Sequence, residues 1–406
     1  MRHARVEATT GSVAWIKPWS PVLIFVFLTG LHAAHAQTPP KKYQDLYREL
    51  DSQLSAFERR LPPRPSGVPP IRAATLLSAN CHRGEFIRSD AQRQATLREL
   101  DALEALGAQG VVLEICYPSL TRTFRDPQPF IEYYANLANE IHVRGLQLVV
   151  EHNSLLPAYA SVDVRPYYKK LNKQRFDRER FAELKAILLA LNPEYLTLVS
   201  EPQTHTAGLN LTVKDWRTYV QSSVDRLYQE LGSFPTLLGA GSGLWDDLGY
   251  VEAFSAIKRL SYIDLHLYPL TTGGHSNLER LLTWPDRIRA IDPDKRIIMS
   301  ELWLYKASAS EQFDAADPAV FARGVYSFWS PLDRKLLRVV GIAAREKRIA
   351  LVAPFWSRYF FAYLDYNDPA TFATRPQVLL NLARQRAYAA ILNGQHTDTG
   401  LAFRGM

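Results

Sequence analysis

The segment YLTLVSEP, residues 195–202, is a short run of apolar, β-prone residues that ends in a glutamate followed by a proline. Seven similar runs begin near residues 74, 110, 146, 236, 262, 296 and 349. Between the runs, apolar residues recur at helical spacing, as in residues 91–106, 131–144 and 318–345. Strands that alternate with helices predict a parallel α/β fold, and eight such strands close a (β/α)8 barrel.

An open, doubly wound sheet is the alternative arrangement of these strands and helices. Such a sheet commonly carries Gly-x-Gly-x-x-Gly after its first strand, and this sequence has no such motif there. The run GAGSG at residues 239–243 follows the fifth strand and lacks the required spacing. We therefore predict a TIM barrel over residues 71–406, preceded by a helix and a proline-rich linker over residues 37–70.

Residues 1–36 have the pattern of a secretory signal peptide. A polar, net positive start precedes the apolar run at residues 21–31, and Ala34 and Ala36 are the small residues that a signal peptidase reads. An uncleaved anchor is the alternative, but the apolar run is too short to cross about 30 Å of hydrocarbon. We expect cleavage between Ala36 and Gln37, and a secreted or periplasmic protein with no stable membrane span.

The composition excludes several classes of protein. Apolar residues make up 47% of the chain and charged residues 22%, which is typical of globular proteins and excludes collagen-like and wholly disordered chains. The formal charge of +7 is spread along the sequence without a basic block, so we expect no nucleic-acid partner. Cys81 and Cys116, the two cysteines, end adjacent predicted strands; free thiols are the alternative, but the short distance between such strands predicts a disulfide.

The residues that end the apolar runs are the candidates for chemistry, because the C-terminal ends of barrel strands form the active site. Glu201 follows TLVS and Glu301 follows IIMS, so each carboxylate comes directly after a hydrophobic strand. Glycoside hydrolysis needs one protonated acid beside the leaving oxygen and one ionised carboxylate below the sugar ring. Paired glutamates at facing strand ends therefore favour action on sugars, and Glu114 and Glu151 are candidates for supporting positions.

Over residues 74–363 the sequence resembles the clan A glycoside hydrolases, retaining enzymes on (β/α)8 barrels such as cellulases, galactanases and mannanases. Glu201-Pro202 is similar to the strand-four acid/base motif, and Glu301 to the strand-seven nucleophile. His266 and Tyr268 are similar to the histidine and aromatic residue of strand six, and Trp356 to the tryptophan of strand eight. The resemblance implies an O-glycosyl hydrolase that cleaves β-linked poly- or oligosaccharides without a cofactor or metal.

Seven side chains are expected to bind the substrate: His152, Asn153, Ser200, His266, Tyr268, Trp303 and Trp356. We also expect Tyr268 and His266 to keep Glu301 ionised, whereas burial and the Glu301 charge should raise the pKa of Glu201. The segments 154–171 and 306–317, with Tyr159, Tyr167 and Tyr168, are the predicted walls of the sugar subsites. The protein is expected to be a monomer.

The sequence departs from the clan pattern at two places. Ser200 stands where the clan usually has asparagine, and the clan's arginine near strand two is missing, so that Arg83 after strand one is the candidate replacement. A carbohydrate-binding barrel without turnover is therefore one alternative function. A metal-dependent hydrolase is another; its candidate ligands are His82, His152, Glu201, Asp264 and His266, although the sequence lacks His-Glu-x-x-His spacing.

Each candidate residue also has a purely structural interpretation. A salt bridge at the barrel rim would explain Glu201 or Glu301, and a buried hydrogen bond would explain His152. Trp303 and Trp356 could simply pack against the mouth of the barrel. These alternatives make burial and hydrogen-bond partners the observations that decide each role.

Overall fold

The computed structural model describes residues 37–243, 248–269, 271–272, 275–308, 311, 317–371 and 374–406. The predicted signal peptide, residues 1–36, lies outside the described residues. Part of the predicted subsite wall at 306–317 lies outside them as well.

Eight parallel strands form a closed barrel in which each strand pairs with its neighbours in chain order and the last pairs with the first. They are β1 (Ile71–Thr75), β2 (Gly110–Tyr117), β3 (Gln147–Ser154), β4 (Tyr195–Thr197), β5 (Leu237–Ser242), β6 (Tyr262–Leu267), β7 (Arg296–Leu302) and β8 (Leu351–Pro354). A small antiparallel hairpin, Thr271–Thr272 with His275–Ser276, is separate from the barrel. The predicted (β/α)8 fold is confirmed.

Helices connect and surround the strands. They are α1 (Gln44–Glu58), α2 (Asp90–Ala105), α3 (Gln128–Val143), α4 (Arg165–Tyr168), α5 (Lys173–Leu191), α6 (Val213–Leu231), α7 (Leu248–Ser255), α8 (Leu278–Ile291), α9 (Pro318–Arg323), α10 (Ser330–Glu346), α11 (Pro376–Leu392) and α12 (Asp398–Arg404). Among the residues that the structure describes, no helix is long and apolar enough to cross a membrane.

Two predicted elements differ from the observed ones. The helix predicted over 318–345 is two helices, α9 and α10, because Gly324 ends the first and Pro331 lies in the first turn of the second. The first strand begins at Ile71 rather than near residue 74, so LLSANC forms 3-10 turns above the barrel. Helix propensity and strand propensity do not locate such breaks, whereas proline and glycine do.

The glycines of β5 make room for large side chains inside the barrel. Tyr262 of β6 points into the barrel and is fully buried with Val112, Val149, Tyr195 and Ile298. A Cβ atom on Gly239 would lie 2.1 Å from Cε2 of the Tyr262 ring, which no side chain permits. Packing therefore explains the glycines of the GAGSG run, and a nucleotide-binding site is not required to explain them.

The N-terminal helix α1 packs on the outside of the barrel. Its apolar side, Leu50, Leu54 and Phe57, is buried. Lys335 of α10 donates a hydrogen bond to Asp51 of α1, at 2.6 Å. Residues 44–58 thus form the predicted helix, and its apolar spacing is explained by burial against the helical layer.

Candidate active site

Glu201 and Glu301 lie at the C-terminal end of the barrel, where the sequence places the chemistry. Glu201 follows β4 after a short segment that ends in Val199 and Ser200. Glu301 is the last residue but one of β7. The register between β6 and β7 shifts between Asp264 and His266, so that His266 is the direct neighbour of Glu301. This irregularity brings a histidine and a carboxylate of adjacent strands to the same level.

His266 lies between the two carboxylates. Its Nδ1 atom is 3.0 Å from Oε1 of Glu201 and 3.3 Å from Oε2 of Glu301. Two atoms cannot be further apart than the sum of their distances to a third, so these oxygens are at most about 6.3 Å apart. The Glu201 and Glu301 side chains are 14% and 11% exposed, so both retain contact with the barrel opening.

Tyr268 completes the contacts of Glu301. Its hydroxyl donates to Oε2 of Glu301 over 2.5 Å, and the tyrosine is buried. A short hydrogen bond from a neutral donor to a carboxylate is charge-assisted and stabilises the ionised form. The predicted donation from Tyr268 is observed, and it reaches the oxygen that also faces His266.

Hydrogen-bond partners define the protonation of His266. On the far side of the ring, Nε2 is 3.1 Å from Oγ of Ser300 and 3.5 Å from Oε1 of Glu151. Oγ of Ser300 donates to Asp264 at 2.6 Å, so it can only accept from the histidine. Both ring nitrogens thus face acceptors. Although burial opposes the charged form, Glu301, Glu151 and Glu201 raise the pKa of His266 well above its ordinary value.

The two carboxylates differ in their pKa directions, in the order opposite to that predicted. Burial raises the pKa of Glu301 well above its ordinary value; the charge of His266 opposes this, and the negative charges of Glu151 and Glu201 add to it. For Glu201 the hydrogen bond and charge of His266 outweigh burial and lower the pKa. The prediction considered only two carboxylates, whereas the cluster also contains Glu114 and Glu151.

Ser200 and Asn153 lie beneath the carboxylate pair and are 0% and 1% exposed. Oγ of Ser200 donates to Oδ1 of Asn153 over 2.6 Å. The Asn153 amide donates to Glu114 at 3.1 Å and to Glu151 at 3.2 Å. These contacts occupy both ends of the amide, so in this structure the two residues support the site and do not face the opening where a substrate would enter.

His152 lies on the outer face of β3, away from the two carboxylates, and its contact with substrate stays a prediction. Successive residues of a strand point to opposite faces, and Glu151 and Asn153 point inward. His152 therefore points outward, where its Nε2 atom is 2.8 Å from Oε2 of Glu183 on α5. Both side chains are fully buried, which is the structural role that was the alternative.

Trp303 and Trp356 differ in exposure. Trp303 is 2% exposed, and its ring stacks on Tyr359 with centroids 5.6 Å apart, so it packs inside the protein in this structure. Its contact with substrate stays a prediction. Trp356 is half-buried and meets Phe321 edge-to-face at 5.6 Å. Of these two tryptophans, Trp356 is thus the more exposed one.

Two aromatic residues of the mouth were not predicted. Tyr305 lies 4.9 Å from Tyr268 between ring centroids and 5.8 Å from Phe321, which in turn approaches Tyr159 at 6.4 Å. Glu201 and Glu301 contribute to the raised pKa of Tyr305, after burial as the main cause. The only sequence signal was the aromatic content of the loop after β7.

Tyr159 lies at the mouth as predicted, but two other aromatic residues of the same segment do not. The Tyr168 hydroxyl donates to the backbone oxygens of Tyr117 and Leu155, and Tyr167 donates to Glu179 of α5. Both are thus held by structural hydrogen bonds. Arg83 donates to Oε1 of Gln92 at 3.2 Å, and its role as a replacement for the clan arginine stays a prediction.

Cys81 and Cys116 form a disulfide, with Cα atoms 5.7 Å apart, which confirms the predicted pairing. The five predicted metal ligands do not come together: His82 contacts the disulfide region and His152 contacts α5. Glu151, His266 and Glu301 do have potential ligand atoms within 4.8 Å of one another. A histidine ligand must offer an unprotonated nitrogen, and both nitrogens of His266 already face acceptors, so this group does not suit a metal.

Among solved structures, an exo-β-1,4-mannosidase, Op5Man5 from Opitutaceae bacterium strain TAV5, superimposes on this chain with a TM-score of 0.54 at 14% sequence identity. The match covers 83% of this chain and 59% of the mannosidase, so the chain spans less than two thirds of that protein. The likeness shows that the two chains share a (β/α)8 barrel fold.

Two further solved structures have lower TM-scores. The rice β-glucosidase Os3BGlu6 has a TM-score of 0.47 at 10% identity, covering 79% of this chain and 98% of that protein. A β-mannanase of Thermomonospora fusca, in a mannohexaose complex, has a TM-score of 0.43 at 11% identity, covering 71% and 78%. No protein-family model and no curated protein sequence matches the chain.

Proposed function

We propose that the protein is a retaining glycoside hydrolase acting on β-linked poly- or oligosaccharides, with Glu301 as nucleophile and Glu201 as acid/base. The observation that carries the proposal is the pair of carboxylates that meet at one histidine nitrogen, 3.0 and 3.3 Å away. A pair of partly exposed carboxylates held this close at the C-terminal mouth of a barrel suits displacement at a sugar carbon.

The separation of the carboxylates supports retention over inversion. Inverting enzymes keep their two carboxyl groups about 6.5–9.5 Å apart to admit a water molecule, whereas retaining enzymes keep them about 5–5.5 Å apart. The oxygens of Glu201 and Glu301 that face His266 are separated by no more than about 6.3 Å. That distance favours direct attack by a carboxylate.

The proposed reaction has two steps. In the first, Glu301 bonds to the anomeric carbon while Glu201 gives its proton to the leaving oxygen, which breaks the glycosidic bond. In the second, Glu201 takes a proton from water, whose oxygen bonds to the same carbon as the bond to Glu301 breaks. Tyr268 and His266 stabilise the carboxylate of Glu301 when it is released.

The protonation state needed for the first step requires a proton to be shared within the pair. Burial raises the pKa of Glu301 and His266 lowers that of Glu201, which favours the proton on Glu301, whereas the first step needs it on Glu201. Strongly interacting carboxylates lose their protons as a pair rather than separately. We infer that a bound glycoside, whose leaving oxygen accepts from Glu201, selects the reactive arrangement.

The aromatic mouth supports a sugar substrate. Sugar rings offer apolar faces that stack on aromatic side chains, and Trp356, Tyr305 and Phe321 surround the approach to the carboxylates. We infer that these rings hold the sugar unit next to the cleaved bond. The Cys81–Cys116 disulfide supports the expected export to an oxidising compartment.

Azide rescue tests the assignment of the two roles. In Glu301→Ala, azide should restore turnover of an activated aryl β-glycoside and give the glycosyl azide of inverted configuration; in Glu201→Ala it should give the retained one. Glu132→Gln, an exposed glutamate of α3, is the matched control and should keep wild-type turnover.

Three outcomes would contradict the proposal. Wild-type turnover in Glu301→Ala would exclude Glu301 as the nucleophile. Glycan binding by the native protein without hydrolysis of any glycoside would instead support the binding barrel. Loss of native activity on addition of a chelator would support the metal-dependent alternative.

A further inference from the structure

We propose that Glu151 is a positioning residue that holds His266 as an imidazolium ion, with its Nδ1–H directed between Glu201 and Glu301. This inference rests on the proposed function for its effect on activity, but the charge state of His266 can be measured without any substrate. Glu151 lies one strand away from Glu201 and is fully buried. It does not face the opening, so its role has to be exerted through another side chain.

The orientation of Glu151 is determined by Asn153. The Ser200 hydroxyl donates to the amide oxygen of Asn153, which fixes which end of the amide carries the nitrogen. That nitrogen then donates to Oε2 of Glu151 at 3.2 Å. The other oxygen, Oε1, has no hydrogen-bond donor within bonding geometry and faces Nε2 of His266 at 3.5 Å. Although burial opposes the charged form, His266, Ser300 and Asn153 lower the pKa of Glu151, so a carboxylate oxygen faces the histidine.

The hydrogen bonds around Ser300, on the Nε2 side of the ring, favour the doubly protonated form of His266. Asp264 accepts from the backbone nitrogen of Ser300 at 3.0 Å, from its hydroxyl at 2.6 Å and from Thr197 at 2.8 Å. With its proton committed to Asp264, the Ser300 hydroxyl offers only a lone pair to Nε2. Nδ1 faces Oε1 of Glu201 and Oε2 of Glu301. Oε2 already accepts from Tyr268, so a proton on Glu301 lies on its other oxygen. The atoms next to both ring nitrogens therefore accept, and the ring carries both protons.

The ionisable groups that interact with His266 come from five strands or their ends. They are Glu114 of β2, Glu151 of β3, Glu201 and His205 after β4, Asp264 of β6 and Glu301 of β7. His205 is kept neutral, because burial lowers its pKa to about 4. Among these groups His266 is thus the single cation.

Ser200, which departs from the clan pattern, gains a role in this arrangement. Its short side chain reaches Asn153 rather than a substrate hydroxyl, and through Asn153 it orients Glu151. The departure therefore belongs to a different way of supporting the same two carboxylates.

Glu151→Gln tests the proposal, because the new amide nitrogen has the size of the lost oxygen and would place N–H groups beside Nε2. Glu114→Gln is the matched comparison: Glu114 accepts from the same Asn153 amide and from Asn80, but does not contact His266. Burial and the charge of Glu151 raise the pKa of Glu114 to about 7, so its glutamine variant resembles a form that the native protein already populates.

The first readout is ¹⁵N NMR of histidine-labelled protein at pH 7, with the His266 signals assigned by their loss in His266→Gln. We expect two protonated ring nitrogens in the native protein and in Glu114→Gln, and one unprotonated nitrogen in Glu151→Gln. An imidazolium in Glu151→Gln, or a neutral ring in the native protein, would overturn the proposal. If Glu151→Gln does not fold, Ser200→Ala, which releases Asn153, is expected to lower the pKa of His266, and an unchanged pKa would overturn it.

The second readout is the pH dependence of hydrolysis. In Glu151→Gln two charges are lost, the negative charge of Glu151 and the positive charge of His266. His266 is the nearer of the two to Glu301, so the loss of its positive charge dominates and the pKa of Glu301 rises. Glu151→Gln should therefore lower kcat about tenfold or more at pH 7 with KM little changed, and move the acidic limb to higher pH by about one unit. Glu114→Gln should not move the limb upward. A uniform loss at every pH in Glu151→Gln would indicate a structural role and contradict the proposal.

Failure of the proposed function gives a different result. If the native protein hydrolyses no glycoside, the rate measurements have no baseline, whereas the NMR comparison of Glu151→Gln and Glu114→Gln still decides the charge of His266.

Discussion

Removal of the Tyr268 hydroxyl is the substitution whose effect follows most directly from the structure. Tyr268→Phe keeps the ring and its packing against Tyr305, and loses only the 2.5 Å hydrogen bond to Oε2 of Glu301. A hydrogen bond to a charged group contributes about 1.5–3 kcal/mol. One pKa unit corresponds to about 1.4 kcal/mol, so the pKa of Glu301 should rise by about 1–2 units.

The direction of the change in activity follows from the role of Glu301. A nucleophile has to be ionised, so its activity is lost as the pH falls through its pKa, and a higher pKa moves that loss to higher pH. Burial already raises the pKa of Glu301 well above its ordinary value, and the substitution adds to this. At a pH below the acidic limbs of both proteins, kcat/KM of Tyr268→Phe should be about 10–100-fold lower than that of the native protein.

The assay is the pH profile of kcat/KM with an aryl β-glycoside, for the native protein, Tyr268→Phe and Tyr388→Phe. Tyr388 is exposed on α11 and should give the native profile. An acidic limb in Tyr268→Phe within about 0.3 units of the native one, with similar rates, would refute the assigned role of the hydroxyl.

Two further predictions concern the support of the site. Gly243→Ala would place a Cβ atom 2.4 Å from Cγ of Glu201, so kcat should fall about 100-fold while circular dichroism shows a native fold; native turnover would contradict this. The double variant Cys81→Ala, Cys116→Ala opens a loop with a sequence separation of 35 and should lose about 3–4 kcal/mol in urea unfolding. A loss below about 1 kcal/mol would show that the disulfide contributes little to the free energy of unfolding.

The fold could be predicted because strand runs and helical spacing alternate along the chain. The polar residues at the strand ends then located Glu201, Glu301, His266 and Tyr268, since a parallel barrel collects all strand ends at one mouth. Topology brings these four residues to one mouth. The register irregularity that sets His266 beside Glu301 is a local feature that the sequence pattern did not reveal.

Two physical causes explain why some expected site residues lie away from the carboxylates, and the first is the phase of the pleat. His152 and Asn153 were both expected in the site, but adjacent residues of a regular strand cannot share one face. Glu151 and Asn153 are the inward pair, which only the packing of β3 decides. After a strand ends the alternation no longer applies, and Trp303 turns into the core while Tyr305 lies near the carboxylates.

The protonation pattern was also beyond sequence reasoning. Considered alone, Glu201 and Glu301 are expected to have the higher pKa on Glu201. Glu114 and Glu151 of neighbouring strands change the electrostatic field around His266 and with it this order. Glu114 and Glu151 were expected only as supporting residues. Their effect depends on distances of a few ångströms between strands, which a linear sequence does not contain.

Trapping of the glycosyl-enzyme tests the central claim most directly. A 2-deoxy-2-fluoro-β-glycoside with a good leaving group forms the first bond quickly and loses it slowly, so the labelled residue can be identified by peptide mass spectrometry. We predict one sugar per chain, bonded to Glu301, with release of one equivalent of leaving group. A label on any other residue, or hydrolysis of the ordinary glycoside with inverted configuration and no label, would contradict a retaining mechanism at Glu301.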